Sequence, residues 1–132
     1  VSKEEASSHD AKNAIPVMLD PEGNPVRRNF VHVEDLVSAI LLAIDHPNAR
    51  QELFNICMDG PVDYRKVAEY LQETRSLPSV DVVTPYQSTW LDNAKAKFLL
   101  DWKPQIDLKQ LIDKAWDFQR AADDPRKVWY PG

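Results

Sequence analysis

The spacing of apolar side chains changes several times along the chain, and each change marks the edge of a predicted element. Residues 15–19 form a short apolar run closed by a stretch rich in Asp, Pro, Gly and Asn, which predicts a strand and a turn. Residues 26–33 are rich in β-branched and aromatic side chains and predict a second strand. From Val33 to His46 the apolar residues recur at helical spacing, which predicts a helix. Its apolar stripe comprises Val33, Leu36, Val37, Ile40, Leu41 and Ile44.

The second half of the chain repeats this alternation of short apolar runs and helical patterns. Residues 53–58 predict a buried strand, and residues 80–83 predict another short one. Asp63 and Asp92 stand where helices begin, and each is expected to cap the free backbone amides of its helix. These two helices are predicted to run from Asp63 through Leu71 and from about Asp92 to Leu100.

A last helix is predicted to begin at Asp107 and to fade near Ala122. The residues predicted to form its buried stripe are Leu108, Leu111, Ile112, Ala115 and Trp116. Residues 123–132 have no clear period and form an irregular tail that ends in the apolar segment 128–130, which is a candidate for docking on another surface. Residues 1–14 are polar and aperiodic, and they are interpreted as a flexible lead or the remnant of an upstream region.

These elements predict a small α/β or α+β domain over residues 15–122, with three or four short strands and about four helices. Each helix is expected to lay one apolar stripe on the strands. If the strands have unpaired edges, their backbone groups can pair with a second copy, so a swapped or strand-paired dimer is a hypothesis.

The composition of the chain indicates which partners and which cellular compartment to expect for the protein. Sixteen Lys and Arg residues stand against twenty-one Asp and Glu residues, a formal net charge of −5, which disfavours nucleic acid and anionic membranes as partners. The single cysteine, Cys57, lies in an apolar run and has no intramolecular partner for a disulfide, which fits a reducing compartment. No segment is apolar enough to span a bilayer, so a cytoplasmic protein is expected.

Several catalytic motifs are missing from the sequence. Three glycines do not form a glycine-rich phosphate loop, and no tyrosine has lysine four residues later, so we assign no catalytic or cofactor-binding residue. Three isolated histidines and one cysteine have no metal-ligand spacing, so no metal site is predicted. A Gly-x-Ser-x-Gly elbow is also missing, which leaves an autonomous hydrolase unsupported.

A family resemblance is carried first by residues 27–40, which read RRNFVHVEDLVSAI. They resemble the Arg-Asp-Phe/Tyr-Val/Ile-His-Val-x-Asp-Leu segment of extended short-chain dehydrogenases/reductases, the NAD-dependent epimerase/dehydratase family. Later segments follow the order of that family: residues 54–56 look like its Tyr-Asn-Ile strand, 91–97 its Asp-x-x-Lys-Ala segment and 102–104 its Gly-Trp-x-Pro.

The resemblance implies the C-terminal, substrate-binding portion of an enzyme whose preceding half holds the glycine motif and the Tyr-x-x-x-Lys pair. That Rossmann half is then the expected partner, NAD or NADP the cofactor of the parent protein, and a sugar or nucleotide-sugar its substrate. The chain itself is expected to bind no cofactor and to be a cloned, proteolysed or truncated fragment. We expect it to be inactive alone.

Two substrate-binding residues are carried over by position. Arg28 matches the family arginine that contacts the diphosphate of a nucleotide-sugar, although a merely solvated arginine is the alternative. Asp92 matches the aspartate that opens the late helix, where capping is the main expectation and ligand contact the lesser one. Residues 80–90 contain no arginine, whereas the family has an Arg-x-x-Asp motif there, so a free sugar, sugar acid or lactone is a second possible substrate class.

Other residues carry a structural and a functional interpretation side by side. His32 stands between strand and helix, where a hydrogen-bonded structural imidazole is favoured over a catalytic base. The four tryptophans could line a sugar-binding face, but core positions are favoured. The alternative for the whole chain is a noncatalytic acidic module that binds a partner, or itself, through an apolar face.

Overall fold

The computed structural model describes residues 14–118 and 123, which form eight short elements. The strands are β1 (Ile15–Leu19), β2 (Arg27–Arg28), β3 (Val62–Asp63) and β4 (Ser79–Val83). The helices are α1 (Val33–Ala43), α2 (Tyr64–Arg75), α3 (Ala94–Leu100) and α4 (Leu108–Asp117). The predicted small α/β fold, with four helices and few strands in the described part, is confirmed.

Two small sheets organise the chain. β1 pairs with β4 in parallel, with Ile15 opposite Ser79 and Leu19 opposite Val83. β2 pairs antiparallel with β3, so that Arg27 lies opposite Asp63. The predicted turn after β1 is present, because one oxygen of the Asp20 carboxylate accepts hydrogen bonds from two backbone amides of the turn.

The buried apolar residues form two clusters. The first joins β1 to α2 through Val17, Leu19 and Ala68. The second joins α1 to α3 and the segment after it, through Ala39, Ala96, Leu100 and Trp102. Small alanines at the helix contact let α1 and α3 approach closely, while the large indole of Trp102 fills the space beside them.

The predicted burial of the α1 stripe is wrong. Ile40 is 52% exposed and Leu41 is 66% exposed, whereas Asp35 and Ala39 on another face of the helix are buried. The physical reason is that both oxygens of the Asp35 carboxylate accept backbone hydrogen bonds from the segment before α4, from Gln105 and from the residue after it. Burying this hydrogen-bonded carboxylate fixes the rotation of α1 and turns its apolar stripe to the surface.

The two predicted strands on either side of α1 are largely wrong. Residues 26–33 contain only the two-residue β2, and residues 53–58 are irregular. Within the described residues, the second segment makes one backbone hydrogen bond to the first, from the Met58 amide to the Phe30 oxygen at 2.8 Å. A β ladder needs such bonds to repeat along both segments, and a single bond does not form one.

The predicted helix starts are confirmed, but the last helix is shorter and less covered than predicted. The Asp63 side chain accepts from the Arg65 amide, and Asp107 forms a capping box with Gln110. α4 ends at Asp117, before the predicted end near Ala122, and none of its residues is fully buried. Its stripe is only partly covered: α2 contacts α4 through the hydrogen bonds of Tyr70 and Arg75 to Asp113, and α1 contacts it through the ion pair of Glu34 with Lys114.

The predictions for residues 1–13 and for nearly all of the tail, 124–132, lie outside the described residues. Across residues 14–118 and 123, no helix combines the length and apolar character that crossing a bilayer requires.

Candidate functional site

The candidate site lies where residues 27–29 meet the segment formed by residues 84–92, called here the covering segment. Thr84 begins this segment with two hydrogen bonds to the Leu19 oxygen, one from its amide and one from its hydroxyl, both at 2.8 Å. Further along, the Arg27 amide donates to Ser88 Oγ at 3.0 Å, and the Thr89 amide donates to the Arg27 oxygen at 3.1 Å. The covering segment is therefore held along its length although it has no regular structure.

Asn29 fixes the far end of the covering segment through both ends of its amide. Its Nδ2 donates to the Thr89 oxygen at 3.3 Å, and its Oδ1 accepts from the Leu91 amide at 3.1 Å. An aspartate, the residue that the family resemblance places here, can accept but cannot donate when it is ionised. The residue type itself is a usable signal for this role, because an amide both donates and accepts.

Arg28 lies beside the covering segment with its charge largely uncompensated. Its Cζ is 5.5 Å from the centroid of the Tyr86 ring, a cation–π distance. Among the described residues, no carboxylate lies within 4.0 Å of its guanidinium, whereas the adjacent Arg27 is 3.7 Å from Asp63. The side chain of Arg28 is partly exposed and therefore accessible to an anion.

Asp92 occupies the other end of the covering segment, at the start of α3. Its Oδ1 accepts from the Ala94 amide at 2.8 Å, and its backbone oxygen accepts from Asn55 Nδ2 at 3.1 Å. The N-cap residue of α3 is Asn93, one residue later than predicted, and Asp92 accepts from the first helical amide from the position before the cap. Contact of Asp92 with a ligand stays a prediction. Arg28 and Asp92 flank the same segment but form no ion pair in the part of the chain that the structure describes.

A polar cluster beneath Asp92 was not anticipated from the sequence. Lys97 Nζ lies 2.8 Å from Asp59 Oδ1, and the buried Asn93 donates both to Asp59, at 3.2 Å, and to the Cys57 oxygen, at 2.9 Å. The hydrogen bonds from Lys97 and Asn93 hold the pKa of Asp59 below its usual value. Lys97 follows Asn93 by one helical turn, so the spacing was a usable signal.

The thiol of Cys57 lies in the same region and is buried and free. Burial raises its pKa, and the negative charges of Asp59 and Asp92 raise it further. A thiol in such a setting stays protonated and is a poor nucleophile.

Two open clefts flank the last part of the covering segment. One, of about 420 Å³, is lined by Asp20, Asn24, Arg27, Ser88, Thr89 and Trp90 among others. The other, of about 500 Å³, is lined by Asp59, Trp90, Leu91, Asp92 and Asn93. Trp90 belongs to both clefts and is 67% exposed. Arg28 lines neither cleft.

The other candidates from the sequence were His32 and the tryptophans, and the structure gives them different roles. Nδ1 of His32 accepts from the Glu34 amide at 3.1 Å and caps α1, so its predicted structural role is confirmed. Trp102 is 1% exposed and belongs to the core, whereas Trp116 is 55% exposed and stacks on Arg75. Trp129 lies outside the described residues.

The NAD dependent epimerase/dehydratase family matches residues 7–57, which include β2, Arg28 and the whole of α1. Over these residues the chain is similar to that family. A probable GDP-L-fucose synthase 1 of Oryza sativa subsp. japonica is 28% identical over 77% of this chain and 32% of its own length. A chloroplast stem-loop binding protein of 41 kDa b from Arabidopsis thaliana is 26% identical over 90% of this chain and 36% of its own length.

Solved structures share the fold of this chain. A short-chain dehydrogenase/reductase superfamily protein from Agrobacterium tumefaciens, solved with bound NAD, has a TM-score of 0.70, 22% identity, and coverage of 86% of this chain and 38% of its own. The UDP-glucose 4-epimerase of Thermotoga maritima, solved with UDP-glucose, has a TM-score of 0.58, 27% identity, and coverage of 74% and 32%. The chain thus spans about a third of the length of the curated relatives it matches.

The described residues of this chain do not fit the NAD that is bound in the Agrobacterium tumefaciens structure. A pyrophosphate site of that kind needs closely spaced glycines leading into a helix N-terminus. Here Gly23 lies in the turn that leads to β2, and Gly60 stands alone before β3. We therefore assign no contact with NAD to the described residues.

Proposed function

We propose that this chain is the substrate-binding portion of an NAD(P)-dependent enzyme acting on a nucleotide-sugar, and that Arg28 binds the diphosphate of that substrate. The observation that carries the proposal is the accessible guanidinium of Arg28, which has no carboxylate partner among the described residues and is held by the Tyr86 ring. A guanidinium binds phosphate oxygens through parallel charge-assisted hydrogen bonds, and a preset position reduces the entropy lost on binding.

The substrate class is supported by the relatives. A GDP-L-fucose synthase and two UDP-glucose 4-epimerases are among the proteins that the chain resembles, and one of these epimerases was solved with UDP-glucose. GDP and UDP sugars share a diphosphate. Residues 80–90 contain no arginine, so within this chain we assign the diphosphate contact to Arg28 alone.

The chemical role of this portion is to bind and orient the substrate. NAD(P) would supply hydride transfer in the full-length enzyme, and this chain encodes neither a phosphate cradle for it nor a Tyr-x-x-x-Lys pair for proton transfer. In this proposal Arg28 binds the diphosphate end of the substrate. Groups outside this chain perform the reaction.

The exposed stripe of α1 supports the same interpretation. Five apolar residues of this stripe are 46–66% exposed: Val33, Val37, Ile40, Leu41 and Ile44. A contiguous apolar face of this kind marks a contact surface. We propose that it packs against the cofactor-binding half of a full-length relative. A noncatalytic module that binds a protein partner through this stripe is the second candidate.

A binding experiment tests the role of Arg28. UDP, UDP-glucose and glucose are titrated into the chain by isothermal calorimetry, with the Arg28→Ala, Arg28→Lys and Arg65→Ala variants in parallel. We expect UDP and UDP-glucose to bind and Arg28→Ala to weaken both by roughly tenfold or more, the usual magnitude for a charge-assisted hydrogen bond. Arg28→Lys should be intermediate because it keeps the charge without the fork.

Arg65 is the matched control because its guanidinium is already occupied by Asp81, at 3.0 Å. Equal affinities in wild type and Arg28→Ala, with both proteins folded by circular dichroism, would contradict the proposal. So would equal losses in Arg28→Ala and Arg65→Ala, since that result reflects general charge.

A further inference from the structure

One cleft lies between the turn after β1 and the covering segment. The side chains that line it differ from those around Arg28. Consecutive strand residues point to opposite faces, and correspondingly Arg27 lines this cleft while Arg28 contacts Tyr86. The cleft, of about 420 Å³, is thus separate from the phosphate contact proposed for Arg28.

An exposed aromatic ring forms one wall of this cleft. Trp90 is 67% exposed, although an indole has one of the largest apolar surfaces among side chains. The backbone beside it is fixed, because Thr89 exchanges hydrogen bonds with Arg27 and Asn29 on one side and Leu91 is held by Asn29 on the other. The ring is presented by an anchored segment, so little backbone entropy is lost when a ligand covers it.

The other walls carry hydroxyl, amide and carboxylate groups. Ser88, Thr89 and Asn24 line the cleft together with Asp20, a residue that is 9% exposed and whose carboxylate anchors the turn by accepting from the Glu22 and Asn24 amides. The one guanidinium in the cleft, that of Arg27, is 3.7 Å from the Asp63 carboxylate. Because the charge of Arg27 is offset by Asp63, the negative charge of Asp20 makes the cleft unfavourable for an anion.

We infer that this cleft binds an uncharged pyranose ring stacked on Trp90. A pyranose has an apolar C–H face that can cover an aromatic ring and a rim of hydroxyls that both donate and accept hydrogen bonds. Trp90 supplies the apolar surface, while the side chains of Asn24, Thr89 and Asp20 supply the polar groups that orient a ligand in a concave site. The inference does not require the diphosphate contact of the proposed function.

The test uses the full chain labelled with ¹⁵N and three neutral probes, the methyl pyranosides of glucose, galactose and mannose. Indole and backbone amide signals are followed during titration, and the Trp90 indole signal is assigned from a Trp90→Phe variant. We expect at least one probe to produce saturable shifts at the Trp90 indole and at the Asn24 and Thr89 amides, with a Kd on the order of 1 mM for a ligand of this size.

Matched variants separate this site from the phosphate contact. Trp90→Ala should weaken pyranoside binding at least tenfold and leave UDP binding unchanged, whereas Arg28→Ala should do the reverse. Trp116→Ala is the control, because Trp116 is also exposed, at 55%, but stacks on Arg75 away from this cleft. Circular dichroism verifies folding, and Asn24→Ala provides a second variant in the cleft.

Three results would overturn the inference. The first is no saturable shift with any of the three pyranosides. The second is pyranoside binding that Trp90→Ala and Asn24→Ala leave intact. The third is a Trp90 response to uridine without one to the pyranosides, which would assign the ring to a nucleobase.

Discussion

Trp102 donates a hydrogen bond from its indole Nε1 to the backbone oxygen of Asp35, and the two atoms lie 3.1 Å apart. The same indole nitrogen is 3.0 Å from Ser38 Oγ, and this hydroxyl donates to the Asp35 oxygen at 2.7 Å. The Asp35 carboxylate in turn accepts from the amides of Gln105 and Ile106, each at 3.0 Å. One residue of α1 thus joins the helix, the buried indole and the approach to α4.

Replacing Asp35 should therefore destabilise the fold strongly. Asp35→Ala leaves two partly buried backbone amides without an acceptor, and we expect a loss of about 3 kcal/mol in the free energy of unfolding. Asp35→Asn keeps one acceptor and should lose less. Urea denaturation followed by tryptophan fluorescence measures both, with Glu69→Gln as the control for removing an exposed charge. A loss below about 1 kcal/mol for Asp35→Ala would contradict this account.

The sequence predicted the position of α1 correctly but not which of its faces is buried. Apolar residues at helical spacing predicted the helix correctly, because periodicity reflects the local geometry of the backbone. They did not predict which face is buried, since that depends on amides 70 and 71 residues away that need the Asp35 carboxylate. The predicted strand at residues 53–58 failed for a similar reason: strand formation requires a paired neighbour, and this segment has one backbone bond to residue 30.

For the candidate site too, the sequence predicted local contacts but not contacts between distant residues. The hydrogen bond that Asp92 accepts from the start of α3 is local, and the sequence predicted this helix start to within one or two residues, whereas the stacking of Arg28 on Tyr86 joins residues far apart in the chain and was not predicted. The anchoring of the covering segment by Asn29 is also nonlocal, spanning 60 and 62 residues.

Glycine at the end of α3 should stabilise the protein. Asp101 adopts the left-handed conformation with φ of 52°, which is costly for a residue with a Cβ atom and favoured for glycine. We expect Asp101→Gly to raise the free energy of unfolding by about 0.5–1 kcal/mol, measured by urea denaturation. Ser79→Gly in extended backbone is the control and should be destabilising. A destabilised Asp101→Gly variant would show that the Asp101 side chain makes a larger contribution than its backbone strain.

The ion pair between Asp59 and Lys97 should appear as a shifted titration. Its hydrogen bonds hold the pKa of Asp59 below the ordinary value, so the pair contributes stability above about pH 4 and loses it as the pH falls through the folded pKa. Lys97→Met should raise the pKa of Asp59 toward the ordinary value, as measured by ¹³C NMR of the carboxyl group. Lys95→Met is the control, because Lys95 on the same helix pairs with Glu52. An unchanged Asp59 titration in Lys97→Met would refute the assignment.

The exposed stripe of α1 should make the isolated chain self-associate as its concentration rises. Leu41 is 66% exposed on this stripe, and a charge there opposes burial between two copies. We expect light scattering to show a mass that increases with concentration for the wild type and a constant monomer mass for Leu41→Glu. Leu53→Glu is the control, since Leu53 is 84% exposed but lies outside the stripe. A strict monomer at high concentration in the wild type would exclude the stripe as a self-association surface.

Titration with NAD should separate cofactor binding from substrate binding. The glycines of this chain stand singly, at positions 23, 60 and 132, and a dinucleotide needs several close backbone amides at a helix start to hold its pyrophosphate. We therefore expect no heat of binding for NAD or NADP at micromolar concentrations in isothermal calorimetry of the chain. UDP titrated into the same preparation is the positive control for a competent fold. Micromolar affinity for NAD, unaffected by Arg28→Ala, would mean that the chain holds a dinucleotide by contacts other than a glycine-rich loop, and the division of roles proposed for the full-length enzyme would be wrong.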